Sequence, residues 1–166
     1  MLIRDETPSD EASISALVDT AFRPMPFSDQ TEHLVVDALR RQGALTLSLV
    51  AEANASVVGH VAFSPVTIDG SDLGWHALGP IAIAPERQRQ GIGSALIEHG
   101  FVRLRALNSA GCVVLGAPRY YRRFGFQLDP RLTVVDYPAE HFMVLPLGGP
   151  APKGIVRFHP AFEVTG

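Results

Sequence analysis

Ile81-Ala-Ile-Ala-Pro-Glu-Arg-Gln-Arg-Gln-Gly-Ile-Gly-Ser-Ala-Leu96 joins a near-continuous apolar run to a polar loop, and the loop to a helix-like stretch that opens on Gly91 and Gly93. An apolar run such as Ile81-Ala82-Ile83 fits a strand buried on both faces. The start of a helix presents unpaired amides and the positive end of the backbone dipole, both suited to an anion such as phosphate. Glycines there let a ligand approach the backbone and tolerate positive φ, and Arg87 and Arg89 add charge at the same place. Together these features describe a pyrophosphate cradle. A P-loop would need Gly-Lys-Ser/Thr, but Gly93 is followed by Ser94 with no lysine. A dinucleotide fingerprint would need a third glycine where Leu96 stands. It would also belong to an opening βαβ unit rather than to the middle of the chain.

Working outward, residues 1–5 read as a short strand, and Thr7-Pro8-Ser9-Asp10 as a helix start with proline near the first position. Ile14, Leu17, Val18 and Ala21 recur at the spacing of one helical face, and the prolines between Phe22 and Ser28 end that helix. A second helix is expected over residues 29–42, with Leu34, Val35, Ala38 and Leu39 inward and Gly43 at its end. Strands over residues 47–53 and 57–66 bracket a hairpin turn at Asn54-Ala55-Ser56. Residues 67–72 make a second turn, and residues 75–83 a third strand of this group. Pro80 removes a ladder donor from that strand, so a bulge or a local parting of strands is expected there. The longest helix runs from Gly91 to Asn108, with Ile92, Ala95, Leu96, Val102, Ala106 and Leu107 on one side. Arg103 falls inside that apolar arc without a reason in the pattern. A buried strand at 111–115, a brief helix at 118–124 stopped by Gly125, and closing strands at 142–147 and 155–158 complete the chain. The order is β-α-α-β-β-β-α-β-α-β-β, a single α/β domain over residues 1–166 with a mixed sheet.

Composition agrees. The chain has 166 residues, 46% of them hydrophobic and 19% charged, which suits one ordinary globular domain. No apolar run reaches the roughly 18–20 residues of a membrane span, and residues 1–6 lack the features of a signal peptide. A soluble cytoplasmic protein is expected. The single cysteine, Cys112, excludes an internal disulfide and gives no zinc site, so no metal is expected. A net charge of −3 argues against a nucleic-acid partner. The charge is uneven: residues 87–131 hold eight arginines against Glu98 and Asp129, while the rest of the chain is acidic. A basic middle in an acidic body suits a small anion at one place and a cationic partner around it.

Gln88-Arg-Gln-Gly91-Ile-Gly93 resembles the (Q/R)-x-x-G-x-(G/A) signature of the GNAT superfamily of acyl-CoA-dependent N-acetyltransferases. About 30 residues on, Tyr121-Arg-Arg-Phe-Gly125-Phe126 is similar to that family's Tyr-x-x-x-Gly-Phe segment. The tail Gly154-Ile-Val-Arg-Phe-His-Pro-Ala-Phe162 looks like the bacterial YhbS-like subgroup. The resemblance implies acetyl-CoA as cosubstrate, its pyrophosphate held by amides of Gln88, Arg89, Gln90, Gly91, Ile92, Gly93 and Ser94. It implies a pantetheine arm on the strand at Ile81, Ala82 and Ile83, in a cleft where the fourth and fifth strands splay. It also implies Tyr121 as general acid. Where the family often has asparagine, this chain has Gly116-Ala-Pro-Arg119, and Arg119 is expected to contact the coenzyme instead.

A leaving thiolate has a pKa near 8.5, so a tyrosine near 10 can protonate it. The acceptor would be a small-molecule or peptide amine, and its ammonium must first lose a proton. Glu32, His33, His60 and His76 are the candidate bases, with Glu32 also a candidate substrate contact because its helix borders the acceptor side in this family. A non-catalytic acyl-CoA-binding module is the alternative from another class, and a longer acyl chain on the donor is a further one. An edge strand near the C-terminus could pair two copies into a homodimer.

Overall fold

The computed structural model describes residues 1–165. In chain order its main elements are β1 (Leu2–Asp5), α1 (Glu11–Phe22), α2 (Glu32–Arg41), β2 (Leu47–Ala53), β3 (Ser56–Pro65), β4 (Thr67–Ile68) and β5 (Trp75–Ile83). There follow α3 (Ile92–Ala106), β6 (Gly111–Leu115), α4 (Pro118–Tyr121), β7 (Leu132–Val134), β8 (Phe142–Pro146) and β9 (Gly154–Arg157). A six-stranded sheet runs β1-β2-β3-β5-β6-β8, antiparallel except for the parallel pair β5–β6. A second, three-stranded sheet has β9 between β4 and β7. This is the expected mixed-sheet α/β fold, with two short strands added.

The layers follow from alternation along β3. Gly59 turns its bare side to Ile92 and Leu96 of α3. His60, one residue on, points to the opposite face, where Ser48 and Glu6 connect it to Arg40 of α2. The sheet therefore lies between α3 and the α1–α2 pair, and Val61, Phe63, Leu49, Leu96 and Ile97 are fully buried around it. The hairpin turn places Asn54 and Ala55 at φ 51° and 62°, as a two-residue type I′ turn requires.

Four sequence readings shift. The second helix starts at Glu32 rather than at 29, because side chains of the preceding loop close on themselves: Thr31 Oγ1 donates to Asp29, and Ser28 Oγ to Glu32. Its buried face is Val35, Val36, Ala38 and Leu39, leaving Leu34 half-buried. In α3 the inward stripe is Ile92, Leu96, Ile97, Gly100, Phe101 and Leu104, while Val102 and Leu107 are exposed. That rotation explains Arg103, which lies beside the stripe and pairs with Asp5 at 3.0 Å. Finally, the turn at 67–72 contains β4, and β7 was absent from the expected order. Both are two- or three-residue strands that exist only because β9 pairs with them.

β8 ends the large sheet. Gln127 bonds its outer edge at Val144 in both directions, at 2.9 and 2.8 Å, and so covers the middle of the edge offered for pairing with a second copy.

Candidate functional site

β5 and β6 are joined only at Trp75–Gly111, His76–Cys112 and Ala77–Val113. From Leu78 onward the strands part, so the splay between fourth and fifth main strands is present. Val61 pairs with Ile81 and Phe63 with Leu78, which leaves Gly79 and Pro80 bulged opposite Ala62. Pro80 thus sits at the parting, as its missing donor requires. Beyond it β5 is held by β3 alone, with Gly59 opposite Ile83 and the Ala84 amide on the Val58 carbonyl at 2.9 Å. The other edge of Ile81, Ala82 and Ile83 borders the gap.

At the end of β5 a short turn, Pro85–Arg87, leads into the mouth of α3. Gln88, Arg89, Gln90 and Gly91 are exposed, and Gly93 and Ser94 half-buried. Arg89 and Gly91 have φ of 63° and 81°, which turns successive amides to one side of the loop. The helix ladder begins when the Ala95 amide donates to the Gly91 carbonyl at 3.1 Å. The amides of Ile92, Gly93 and Ser94 therefore have no intrahelical acceptor. A Cβ on Gly91 would meet only open space, whereas one on Gly93 would lie 3.0 Å from Tyr120 Oη. The loop is thus an open concavity of donors, floored by the Tyr120 hydroxyl. Among the described residues, Arg87, Arg89 and Arg119 form no ion pair. The Arg123 guanidinium lies 4.6 Å from the centre of the Tyr120 ring. These residues fit the pyrophosphate of a coenzyme, by open amides and uncommitted positive charge.

The parted strands open on a cavity of about 630 Å³. Leu78 to Ile81 line it from β5, Leu115 from the end of β6, Gly116 and Ala117 from the loop that follows, and Tyr121 from α4. Tyr121 is buried, and its hydroxyl makes no hydrogen bond to the described residues. Burial, with help from neighbouring Tyr120 and Cys112, pushes its phenol well above the usual range, so it stays protonated at any physiological pH. Its ring lies against Gly116, where a Cβ would meet the ring carbons at contact distances no side chain tolerates. The Tyr120 ring stands edge-on to it, centroids 5.0 Å apart at 87°. One tyrosine therefore serves the cavity and the other the helix mouth.

Of the four candidate bases only Glu32 lines the cavity. Its Oε1 accepts from Ser28 Oγ at 2.6 Å, and among the described residues Oε2 has no donor. His33 lies 3.9 Å from Asp19, outside the cavity. His76 is tied to Ser109 at 2.8 Å in the zipped part of β5–β6, and burial lowers its pKa. His60 is completely buried, and burial takes its pKa down to about 4. Because Ser48 donates to Glu6, His60 must donate through Nε2 to Ser48, leaving Nδ1 as a bare acceptor. Cys112 is buried and its thiol pushed up by burial, as expected of a small hydrophobe.

The sequence marks Gly116 only as a departure from the family pattern, gives Tyr120 no role of its own, and leaves most of the cavity wall unread. Phe22, Met25 and Phe27 precede α2, while Tyr137, Phe158 and Phe162 come from flanks of β8 and β9. The signal was weak: apolar residues in stretches with no regular period, of which Phe27 is fully exposed and Tyr137 47% exposed. No group of three or more His, Cys, Asp or Glu that could hold a metal occurs among the described residues, and none of their helices is long and apolar enough to cross a membrane.

Comparison with known proteins is consistent. A family model described as an acetyltransferase (GNAT) domain matches residues 45–128. The chain is 43% identical over 129 residues to the uncharacterized N-acetyltransferase YhbS of Escherichia coli K12, spanning 77% of this chain and 74% of that one. It is similar to the crystal structure of a GNAT family acetyltransferase from Brucella melitensis in complex with acetyl-CoA, at 46% identity and TM-score 0.88 over 97% of both chains. It is also similar to the structure of Escherichia coli YhbS in complex with CoA, with TM-score 0.90 and 35% identity over 99% of this chain and 93% of the other.

Proposed function

Since the chain belongs to the GNAT family of acetyltransferases, we propose that it moves the acetyl group of acetyl-CoA to a primary amine by direct attack in a ternary complex. One observation carries this reading: the gap beside β5 runs from the open mouth of α3 to a cavity holding a buried, protonated tyrosine and a half-free carboxylate. Two similar structures hold acetyl-CoA and CoA, which supports the choice of donor.

Acetyl-CoA supplies an activated acyl group, so a new C–N bond forms as the C–S bond breaks. Amides of Gln88 to Ser94 and the side chains of Arg89 and Arg119 bind the phosphates. The free edge of Ile81, Ala82 and Ile83 orients the arm by backbone hydrogen bonds, and an amide near Ile81 polarises the carbonyl. Tyr121 gives its proton to the departing sulfur, and the second proton, shed by the attacking nitrogen as the amide forms, restores the phenol. Burial raises its pKa, but the same apolar surroundings raise that of a thiol, so donor and acceptor stay matched. Glu32 Oε2 holds the incoming ammonium. At pH 7 an ordinary alkylammonium sheds its proton at a cost of roughly 4–5 kcal/mol, and that proton leaves by the open side of the cavity. Orientation of amine against thioester supplies much of the remaining acceleration.

The test is thiol release from acetyl-CoA over a panel of amines, with coenzyme binding measured in parallel by calorimetry. Turnover supports the enzyme, and its kcat/KM should rise about tenfold per pH unit from 7 to 9 as the free amine grows. Coenzyme binding without turnover of any amine would make the chain a binding module instead.

A further inference from the structure

We propose that the acceptor is a monocationic primary amine carried on an apolar, preferably aromatic, body; this rests on the acetyltransferase reading and specifies its substrate. The cavity beside Tyr121 carries one charged group, Glu32, and no lysine, arginine or histidine. Its outer wall is Phe22, Met25, Phe27, Tyr137, Phe158 and Phe162. The Tyr137 and Phe158 rings meet edge-on with centroids 5.9 Å apart, and Phe158 and Phe162 are 5.5 Å apart. Such a wall offers ring faces and edges to another ring.

The carboxylate is set for one cation. Ser28 Oγ occupies Glu32 Oε1 and leaves Oε2 without a donor among the described residues. The loop behind it is fixed, because Gln30 Nε2 donates to the Phe22 carbonyl at 2.9 Å and the Gln30 amide to Ser28 Oγ at 2.9 Å. Ser28 is therefore a positioning residue. An amine with an apolar body places its single charge on Oε2 and buries the rest against the rings.

Other amines leave a group unmatched. A free amino acid brings a carboxylate for which the lining holds no cation. A polyamine brings a second ammonium into a wall of rings, with no counter-charge. A polyhydroxylated amine brings hydroxyls that the wall cannot satisfy. Burying an unpaired polar or charged group is costly, and it discriminates more strongly than the loss of a methylene. The cavity volume of about 630 Å³ suits a small molecule together with the acetyl end of the donor.

The experiment measures kcat/KM for 2-phenylethylamine, L-phenylalanine, putrescine and n-propylamine with acetyl-CoA, on the full chain and on Glu32→Gln, Glu32→Asp and Phe162→Ala. The expected order puts 2-phenylethylamine at least about thirtyfold above the other three. Glu32→Gln should raise its KM about tenfold or more, Glu32→Asp should recover part of that, and the KM for acetyl-CoA should stay within about twofold. Phe162→Ala should narrow the preference over n-propylamine. If L-phenylalanine, putrescine or n-propylamine turns over as well as 2-phenylethylamine, the acceptor class is overturned and the acetyltransferase reading stands. If no amine releases thiol, titration of 2-phenylethylamine into the CoA-loaded protein decides. Binding that Glu32→Gln weakens keeps the assigned ligand and removes the reaction, and no binding removes the assignment.

Discussion

At the mouth of α3, what the protein offers a ligand comes from the backbone of consecutive residues 88–94. At the other end of the same gap, the cavity is walled by side chains drawn from residues 22–32, 77–81, 115–121 and 137–162. The first arrangement depends on chain direction, two glycines and positive φ, with Arg89 adding charge beside them. The second consists of side-chain identity. A protein that holds an invariant ligand and chooses a variable one gains from this division, since the choosing surface can change while the holding surface stays fixed.

The largest test of that division is Tyr121→Phe, at the junction of the two ends. It should lower kcat by a hundredfold or more while calorimetric affinity for coenzyme A stays within about twofold. A substantial loss of affinity would mean that the tyrosine belongs to the holding surface. His60 provides a control outside both ends. Its folded pKa of about 4 lies below the unfolded value near 6.5, so the unfolded chain takes up a proton first as pH falls. Stability is complete above about pH 6.5 and should drop by on the order of 3 kcal/mol by pH 4. Denaturant midpoints across that window should show the slope, and His60→Gln should flatten it without altering amine preference.

Gly93→Val comes next: its side chain meets the Tyr120 hydroxyl and should weaken coenzyme binding about tenfold, leaving the amine KM unchanged. A matching change in amine KM would dissolve the separation of the two ends. Smallest is Arg89→Gln, an exposed charge, expected to weaken coenzyme binding about threefold at low salt and less at high salt.

The same division explains what could be read beforehand. The mouth of α3 was legible because its requirements fall on neighbouring residues: a strand, glycines two apart and arginines between. Tyr121 was legible through a second local spacing. Pro80 even gave the place where the strands part. The aromatic wall was not legible, since Phe27, Tyr137 and Phe158 meet only through the tertiary fold and lie in stretches without period. Gly116 was noted as a departure from the family pattern; only the placement of the Tyr121 ring against it gives the departure a reason. The error in the inward face of α3 has a similar source, since Val102 and Leu107 are apolar yet exposed, and apolarity alone cannot place them.

β9 holds its place by pairing with β4 and β7 and by the Ile155 amide on Asp69 Oδ1 at 2.8 Å, and Phe158 and Phe162 follow it directly. The only link from β8 to this segment passes through Gly148, Gly149 and Pro150, which are exposed. A protease that cut there and let the tail go would leave the α3 mouth and Tyr121 on the remaining piece. Loss of the tail would take Phe158 and Phe162 out of the cavity wall and would also uncover α2 and the second sheet, because Ala161 is buried with Val35 and Leu39, and Val156 with Ile68 and Leu132.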